Sequence, residues 1–311
     1  MDRKLAMSLV CVTEAAAIAA GYWIGKGDKY AVDEAGTEAM RKAFDLIEMD
    51  ATVVIGEGEI DEAPMLFIGE KLGTGYGPKI DIAVDPIEGT TIVAENLNNA
   101  LAVAAIAEAG NLLHAPDMYM YKMAVGPKAA GQIDLRLTVT ENLTKIAKAL
   151  AKDISEITVI ILDRPRHAAI IEEIAAAGAQ VRLISDGDVA AAINTAYGDS
   201  GIDVLIGIGG APEGVLAAVA LKCLGGELQG KLMPRNVEEE ERCKSMGLDC
   251  NKILMMDDLV KGEHAVFAAT GVTDGELVNG VKYENGYATT QSILMTATTR
   301  MVRVINGIHK L

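Results

Sequence analysis

The sequence has few aromatic residues and no excess of positive charge. Aromatic residues make up 4% of its 311 residues, too few for the base-stacking surfaces of proteins that bind single-stranded nucleic acid. The net charge is −16, from 28 Lys and Arg and 44 Asp and Glu. This balance argues against sequence-independent binding to nucleic acid or to an anionic membrane. An anionic ligand would therefore need a local cluster of cations.

Metal-binding cysteine motifs and long apolar runs are also missing. Cys11, Cys223, Cys243 and Cys250 form no C-x2-C pair, the spacing of structural zinc sites. The apolar residues 5–12 follow two basic residues, as in a signal peptide, but their helical spacing favours an amphipathic helix of the mature protein. Elsewhere no apolar run reaches the roughly 18 residues of a membrane span. We expect a cytoplasmic protein that does not bind membranes.

The composition predicts an α/β protein of two domains. Hydrophobic residues make up 50% of the chain, and 32 glycines allow tight turns between helices and strands. In residues 1–152 the pattern predicts α+β structure. Its main elements are helices at 33–50 and 64–69 and strands at 51–55, 79–84, 101–108 and 111–114.

Residues 153–311 form the second predicted domain, of α/β type, which follows a helix at 141–152. Strands at 157–162, 181–184 and 203–208 alternate with helices, which predicts parallel strands with right-handed crossovers. Their following loops, 163–166, 185–188 and 209–213, would then lie at one edge of the sheet. A helix at 237–246 and further strands within 264–308 complete this half.

Carboxylates recur at the predicted turns of the chain. Each one alone is more typical of a helix cap or a surface charge. Together they would repel one another unless cations were bound, and oxygen ligands without histidine or cysteine favour Mg²⁺ or Mn²⁺ over zinc. The acids of this set are Asp33, Glu57, Asp61, Asp85, Glu88 and Glu213.

Residues 85–91 combine two of these acids with a turn suited to phosphate. Pro86 restricts the exit from the predicted strand, and Gly89 permits a turn into a helix. Free N–H groups at the start of that helix would face an anion, and Thr90 could orient a water molecule. Each piece also occurs in ordinary turns, so only the whole segment is specific.

This segment resembles a family signature. Residues 85–90, D-P-I-E-G-T, resemble the D-P-(I/L)-(D/E)-G-(T/S) motif of the metal-dependent, lithium-sensitive sugar phosphatases. Glu88 and residues 23–29 and 56–66 are similar to class II fructose-1,6-bisphosphatases of the GlpX type. The resemblance continues over nearly the whole chain, at residues 163–167, 185–188, 209–214 and 269–275.

The resemblance implies a layered sugar-phosphatase fold with its active site between the two halves. It implies metal-dependent hydrolysis of the 1-phosphate of fructose 1,6-bisphosphate by metal-activated water, in gluconeogenesis and glycerol metabolism. It also implies two or more Mn²⁺ or Mg²⁺ ions per site and a homodimer or homotetramer.

Site residues follow from the same resemblance. The implied metal ligands are Asp33, Glu57, Asp85 and Glu88 from the N-terminal half and Glu213 from the C-terminal half. The implied substrate residues are Glu88, Gly89, Thr90, Tyr119, Arg164, Pro165, Arg166, Asp186, Gly187, Asp188 and Gly210. We expect Asp61 and Thr90 to relay the proton of the attacking water, and Lys29 to orient acids or phosphate. The forked guanidinium groups of Arg164 and Arg166 suit a second phosphate, although surface salt bridges are the commoner use of such a pair.

Two alternatives remain open from the sequence. One is a related substrate. Sedoheptulose 1,7-bisphosphate, as a second substrate of a bifunctional enzyme, needs a longer pocket, and motifs do not reveal pocket length. An inositol phosphatase would more often have Asp at the position of Glu88 and would not need a clamp for a second phosphate. A non-catalytic protein that binds nucleotides or sugar phosphates is the other. Residues 207–210, G-I-G-G, resemble a nucleotide-binding turn, but the pattern G-x-G-x-x-G is incomplete.

Overall fold

The computed structural model describes residues 2–58 and 65–311. It divides into two compact units, which are described separately. Unit 1 contains Met1–Leu113 and Gly262–Leu311, and unit 2 contains His114–Lys261.

The described residues form nine α-helices and thirteen strands. The helices are α1 Arg3–Gly21, α2 Lys29–Phe44, α3 Thr90–Ala94, α4 Val139–Leu150, α5 Ala168–Ala176, α6 Asp188–Asn194, α7 Ala211–Leu224, α8 Val237–Ser245 and α9 Met256–Leu259. The strands are β1 Asp50–Ile55, β2 Lys71–Leu72, β3 Lys79–Glu88, β4 Leu101–Glu108, β5 Tyr119–Val125, β6 Thr158–Leu162, β7 Gln180–Ile184, β8 Val204–Gly210, β9 Glu227–Met233, β10 Ala265–Gly271, β11 Lys282–Glu284, β12 Tyr287–Thr296 and β13 Met301–Lys310. The α/β class is confirmed.

Unit 1 is built on an eight-stranded mixed sheet. Its order is β11-β12-β10-β4-β3-β1-β2, and β13 pairs with β12. β1 and β3 are parallel, whereas β3 and β4 are antiparallel. Apolar side chains from α1, α2 and the sheet share one core.

Helix α1 confirms the predicted N-terminal amphipathic helix. Its buried positions include Leu5, Leu9, Val12, Ala16 and Ala20, which recur at the 3–4-residue spacing of one helical face. In length and composition α1 could cross a membrane, but most of its apolar stretch is buried within unit 1. We therefore interpret α1 as a core helix of unit 1.

Helix α2 begins earlier than predicted. The carboxylate of Asp28 accepts a hydrogen bond from the Ala31 amide at 3.1 Å and so caps the helix at Lys29 rather than at Asp33. The helix ends at Phe44, six residues before the predicted end.

Two predicted elements of unit 1 are wrong. The described residues 65–69 are not helical, because Leu66 and Gly69 adopt left-handed φ angles of 56° and 96° that an α-helix does not accept. Residues 111–114 do not form a strand. There the chain turns, and the Gly110 and Leu112 amides both donate to Asp81 Oδ2, at 2.7 and 3.2 Å.

Unit 2 contains a five-stranded sheet in the order β7-β6-β8-β5-β9. β6 is parallel to β7 and to β8, as predicted. β5 runs antiparallel to β8 and β9. The apolar face of α4, whose N-terminus has a capping box between Thr138 and Glu141, packs into a core with β5, β6 and β8.

The observed division of the chain into two units does not follow the predicted boundary between residues 152 and 153. β5 and α4 belong to unit 2, and β10 to β13 return to the sheet of unit 1. The physical reason is strand pairing: β10 is hydrogen-bonded to β4 over residues 265–271, about 160 residues away along the chain. A pattern read along the chain gives no sign of such a distant partner.

Candidate active site

Parallel strands bring two acids of unit 1 to the same sheet end. In the pairing of β1 with β3, Ile55 lies opposite Ala83. Glu57 and Asp85 each follow two residues later, so both lie at the carboxyl end of this strand pair. β3 continues to Glu88, with an irregular register between Asp85 and Glu88. The strand therefore continues, with this irregularity, past its predicted end at residue 84, and the turn lies at Gly89, as predicted.

Helix α2 packs closely on this strand end. A Cβ at Gly36 would lie 2.5 Å from Ile87 Cγ1, so only glycine permits this approach of α2 to β3. Asp33 lies about one turn before Gly36 and Lys29 one turn earlier again. The half-buried Asp33 is thus on the helix that covers the Asp85–Glu88 segment, while Lys29 is exposed, with Nζ 5.2 Å from the Tyr30 ring.

The turn at Gly89 has the conformation that its sequence predicts. Gly89 has a φ of 90°, a left-handed value that favours glycine, and Thr90 is the first residue of α3. The segment before α2 is hydrogen-bonded to α3. The Gly25 and Gly27 amides donate to the Val93 and Ala94 carbonyls, both at 3.0 Å. Lys29, Asp33 and Thr90 therefore belong to one corner of unit 1.

Burial affects the chemistry of Asp33. Removal from water raises the pKa of its carboxyl, because desolvation disfavours the charged form. A bound cation would offset that cost. Asp61, the predicted proton relay, lies outside the described residues.

In unit 2, the loop after β6 is joined to the end of β8. His167 is buried; its Nδ1 lies 2.7 Å from the Leu162 carbonyl, and its Nε2 accepts from the Ile208 amide at 2.8 Å. Arg166 donates from Nε and Nη2 to the Ile208 carbonyl, at 3.0 and 2.8 Å. The predicted gathering of these loops at one sheet edge is confirmed for Arg164 to Arg166 and the end of β8.

Tyr119, at the start of β5, contacts two guanidinium groups. Arg166 Cζ lies 4.7 Å from the ring centroid and Arg235 Cζ 5.1 Å. Cations near an aromatic face are attracted by its quadrupole. Arg235 also forms an ion pair with Glu239 at 2.5 Å. A phosphate near Tyr119 would therefore meet a third guanidinium group beside the predicted Arg164 and Arg166, one that is already paired with a carboxylate.

A buried ion pair lies beside the third loop. Lys122 Nζ is 2.6 Å from Asp188 Oδ2 and 2.9 Å from the Gly210 carbonyl. Both side chains of the pair are almost inaccessible to solvent. Asp188, the first residue of α6, follows Gly187, which has a φ of 97°.

Glu213 folds back over the start of α7. A Cβ at Gly210 would lie 1.8 Å from Glu213 Oε2, so glycine is required at position 210 for this placement. Oε2 is buried and has no hydrogen-bond partner among the described residues. Burial is the main cause that raises the pKa of Glu213, while nearby Lys122 lowers it and Asp188 raises it further.

Asp186 and Arg164 lie close enough to interact. Burial raises the pKa of Asp186, and the positive charge of Arg164 opposes that rise. The Gly187 amide donates to Asp186 Oδ1 at 3.1 Å. Pro165 begins the short 3-10 helix Pro165–His167, which fixes the direction of the chain between the two arginines.

The donor set is suited to a hard divalent cation. Its members are carboxylate oxygens, which Mg²⁺ and Mn²⁺ prefer. In unit 1 they include the desolvated carboxyl of Asp33, and in unit 2, separately, the partnerless buried oxygen of Glu213. Within residues 2–58 and 65–311, however, no group of three or more His, Cys, Asp or Glu side chains is placed to hold a metal ion. The carboxylates are therefore chemically suited to a metal ion, but the described residues do not form a complete set of ligands.

Three polar residues of unit 2 were not predicted from the sequence. They are Lys122, His167 as a link between strands, and Arg235. A signal existed for Lys122, which is the only charged residue in the strand Y-M-Y-K-M-A-V. The sequence contains no such signal for Arg235, because its approach to Tyr119 depends on the pairing of β5 with β9.

The chain is similar to known proteins over nearly its whole length. The sequence profile of the family described as "Bacterial fructose-1,6-bisphosphatase, glpX-encoded" matches residues 3–309. The chain belongs to this GlpX-type family. It is 48% identical to fructose-1,6-bisphosphatase 1 class 2 of Escherichia coli strain K12 over 324 aligned positions, which cover 100% of this chain and 96% of that protein. Fructose-1,6-bisphosphatase class 2 of Haemophilus influenzae is 47% identical, with 100% and 97% covered. The GlpX-type family is metal-dependent.

Proposed function

We propose that this chain hydrolyses the 1-phosphate of D-fructose 1,6-bisphosphate to fructose 6-phosphate and inorganic phosphate. The observation that carries the proposal is the family match over residues 3–309. The arrangement of acids in unit 1 and of cations around Tyr119 in unit 2 supports it. We also propose a role in gluconeogenesis and glycerol metabolism, and a cytoplasmic homodimer or homotetramer.

The proposed metal ligands are Asp33 and Glu57 for one ion, and Asp85, Glu88 and Glu213 for another. We propose two or more Mn²⁺ or Mg²⁺ ions. When bound, such ions supply positive charge that stabilises the leaving oxygen and favours ionisation of water. Their charge would also offset the desolvation of Asp33 and Glu213.

The protein's own groups direct the proton. We propose that Thr90, at the first turn of α3, orients the attacking water and that Asp61 accepts its proton. Lys29 orients the acids or the phosphate from the first residue of α2. Glu88 and Gly89 bind the 1-phosphate together with Thr90.

Unit 2 is proposed to bind the sugar and the second phosphate. Tyr119, Arg164, Pro165 and Arg166 would contact the phosphate. Because Arg166 already uses Nε and Nη2 on the Ile208 carbonyl, it would bind phosphate through Nη1 rather than through the predicted fork. Asp186, Gly187, Asp188 and Gly210 would contact sugar hydroxyl groups.

Phosphate release from a set of esters tests this proposal. The substrates are fructose 1,6-bisphosphate, sedoheptulose 1,7-bisphosphate, inositol 1-phosphate and fructose 1-phosphate, each with Mn²⁺, with Mg²⁺ and after chelation. We expect turnover of fructose 1,6-bisphosphate that requires metal. Turnover of the seven-carbon ester as well would make the enzyme bifunctional, and no turnover by folded, metal-loaded protein would refute catalysis.

Two acids of the same strand provide a matched pair of variants. Asp85→Asn should abolish turnover. Asp81→Asn, which keeps an oxygen for the Gly110 and Leu112 amides, should leave it near normal. Equal activity of the two variants would contradict the role of Asp85.

A further inference from the structure

Lys122 is a lysine in the interior of unit 2. It is 1% exposed and lies on β5, between β8 and β9. A buried ammonium group is costly unless it is paired and hydrogen-bonded. Both requirements are met by Asp188 Oδ2 at 2.6 Å and the Gly210 carbonyl at 2.9 Å. The contacts of Lys122 are thus made with two proposed substrate residues.

Glycines make room for this side chain. In the two strand pairings Lys122 lies opposite Gly207 and Gly230. A Cβ at Gly209 would lie 3.2 Å from Lys122 Cε and 1.8 Å from Asp188 Oδ2. A Cβ at Gly214 would lie 3.8 Å from Lys122 Cδ.

Packing around Lys122 and Asp188 therefore explains the glycines of segment 207–214 without nucleotide binding. Its small residues form the wall along which the Lys122 stem reaches the start of α7. A side chain at Gly209 would occupy the position of the Asp188 carboxylate. The segment that resembled a nucleotide-binding turn is explained by the buried ion pair.

We infer that Lys122 is a positioning residue for the substrate, acting through Asp188 and Gly210. The inference rests on the proposed function, which assigns these two residues to the sugar phosphate. Lys122 holds one carboxylate oxygen of Asp188 and the carbonyl that precedes α7, at the sheet edge where the loops meet. An acceptor that is fixed before binding loses less entropy when it binds a hydroxyl group.

This role predicts a change in KM rather than in kcat. Asp188 and Gly210 are assigned to ground-state binding of the sugar, not to the reacting phosphoryl group. Loss of binding that is equal in the ground state and the transition state raises KM and leaves kcat unchanged. A merely structural lysine would lower the folded fraction, and so kcat, without changing KM.

The test compares Lys122→Met with two variants. Lys222→Met is the matched control, because Lys222 also bonds a carbonyl and a carboxylate in unit 2, Val260 O at 2.7 Å and Asp257 Oδ1 at 3.2 Å. Asp188→Asn, alone and combined with Lys122→Met, completes a double-mutant cycle. All are assayed with fructose 1,6-bisphosphate well below their melting temperatures.

For Lys122→Met we expect KM to rise about tenfold or more and kcat to change less than about threefold. Lys222→Met should keep the wild-type KM. In the cycle, the double variant should raise KM by less than the product of the two single effects, since Lys122 acts in part through Asp188. An unchanged KM in Lys122→Met, or additive effects in the cycle, would overturn the inference while the proposed function stands.

Hydrogen–deuterium exchange gives a readout that does not need turnover. Amides of residues 186–191 and 208–214 should exchange faster in Lys122→Met than in wild type, and Lys222→Met should leave them unchanged. If wild type is inactive but this pattern appears, the proposed function fails and only the ordering of the two loops by Lys122 stands. If wild type is inactive and the two loops exchange alike in all variants, both fail.

Discussion

Gly209→Ala tests the packing around the buried ion pair. Gly209 lies in β8, is buried and has ordinary extended geometry, so the backbone itself accepts alanine. The added methyl would lie 1.8 Å from Asp188 Oδ2, far inside van der Waals contact. The carboxylate is the end of a side chain, but its ion pair with Lys122 opposes any displacement.

The expected cost follows from two contributions. Overpacking of a core by one methyl group costs about 1–3 kcal/mol. Complete loss of a buried ion pair costs about 3–5 kcal/mol. If the pair is only partly displaced, we expect Gly209→Ala to lower the free energy of unfolding by about 3 kcal/mol, a fall in Tm of about 6–12 °C.

Scanning calorimetry of Gly209→Ala and Gly207→Ala measures this difference. Gly207 lies on the same strand and the same face, but the atoms nearest to its added Cβ would be His167 ring atoms at 3.4 Å and Ile161 Cγ1 at 3.5 Å, which is ordinary van der Waals contact. Its substitution should cost less than about 1 kcal/mol. Equal melting temperatures of the two variants would refute a steric conflict between the added methyl and the ion pair.

Three further predictions concern single side chains. Arg136 lowers the pKa of Asp134 to about 2, so the pair adds stability that is present above about pH 4 and is lost as pH falls toward 2. Asp134→Asn should flatten that loss in acid unfolding curves and cost less than about 1 kcal/mol at neutral pH, because Arg136 is exposed; an unchanged acid limb would contradict it. Burial and the neighbouring Cys250 raise the pKa of Cys243 to about 12, so iodoacetamide should modify the exposed Cys11 first; mass spectrometry showing equal labelling would contradict this. Arg235→Ala should weaken binding of inorganic phosphate or fructose 6-phosphate in calorimetry if the cations near Tyr119 serve the phosphate, and unchanged affinity would exclude Arg235 from that role.

Local sequence patterns predicted the helices and strands in which buried residues recur at a regular spacing. Helix α1 and strands β1, β4 and β6 lie close to their predicted positions, because one face or both faces of each are apolar. The predicted helix at 64–69 was wrong in its described part because a helical spacing of apolar residues does not reveal the left-handed angle at Leu66.

Distant pairing and polar burial were less accessible to sequence reasoning. The return of β10 to β4 depends on contacts between residues far apart in the chain, so the predicted boundary differs from the two units. Lys122 was missed because a lysine inside a sheet contradicts the usual rule of burial; its carboxylate partner becomes visible only in three dimensions. The acids at the ends of β1 and β3 were predictable, since their place follows directly from strand direction. The roles assigned to them, including that of Asp61, stay predictions.

Identification of the reaction products tests the central claim most directly. Phosphorus NMR of the metal-loaded protein with fructose 1,6-bisphosphate distinguishes the two phosphates of the substrate as they are lost. We predict that the 1-phosphate signal disappears as inorganic phosphate and fructose 6-phosphate appear in equal amounts, and that chelation stops the change. Accumulation of fructose 1-phosphate, or no release of phosphate by folded protein with Mn²⁺ or Mg²⁺, would contradict it.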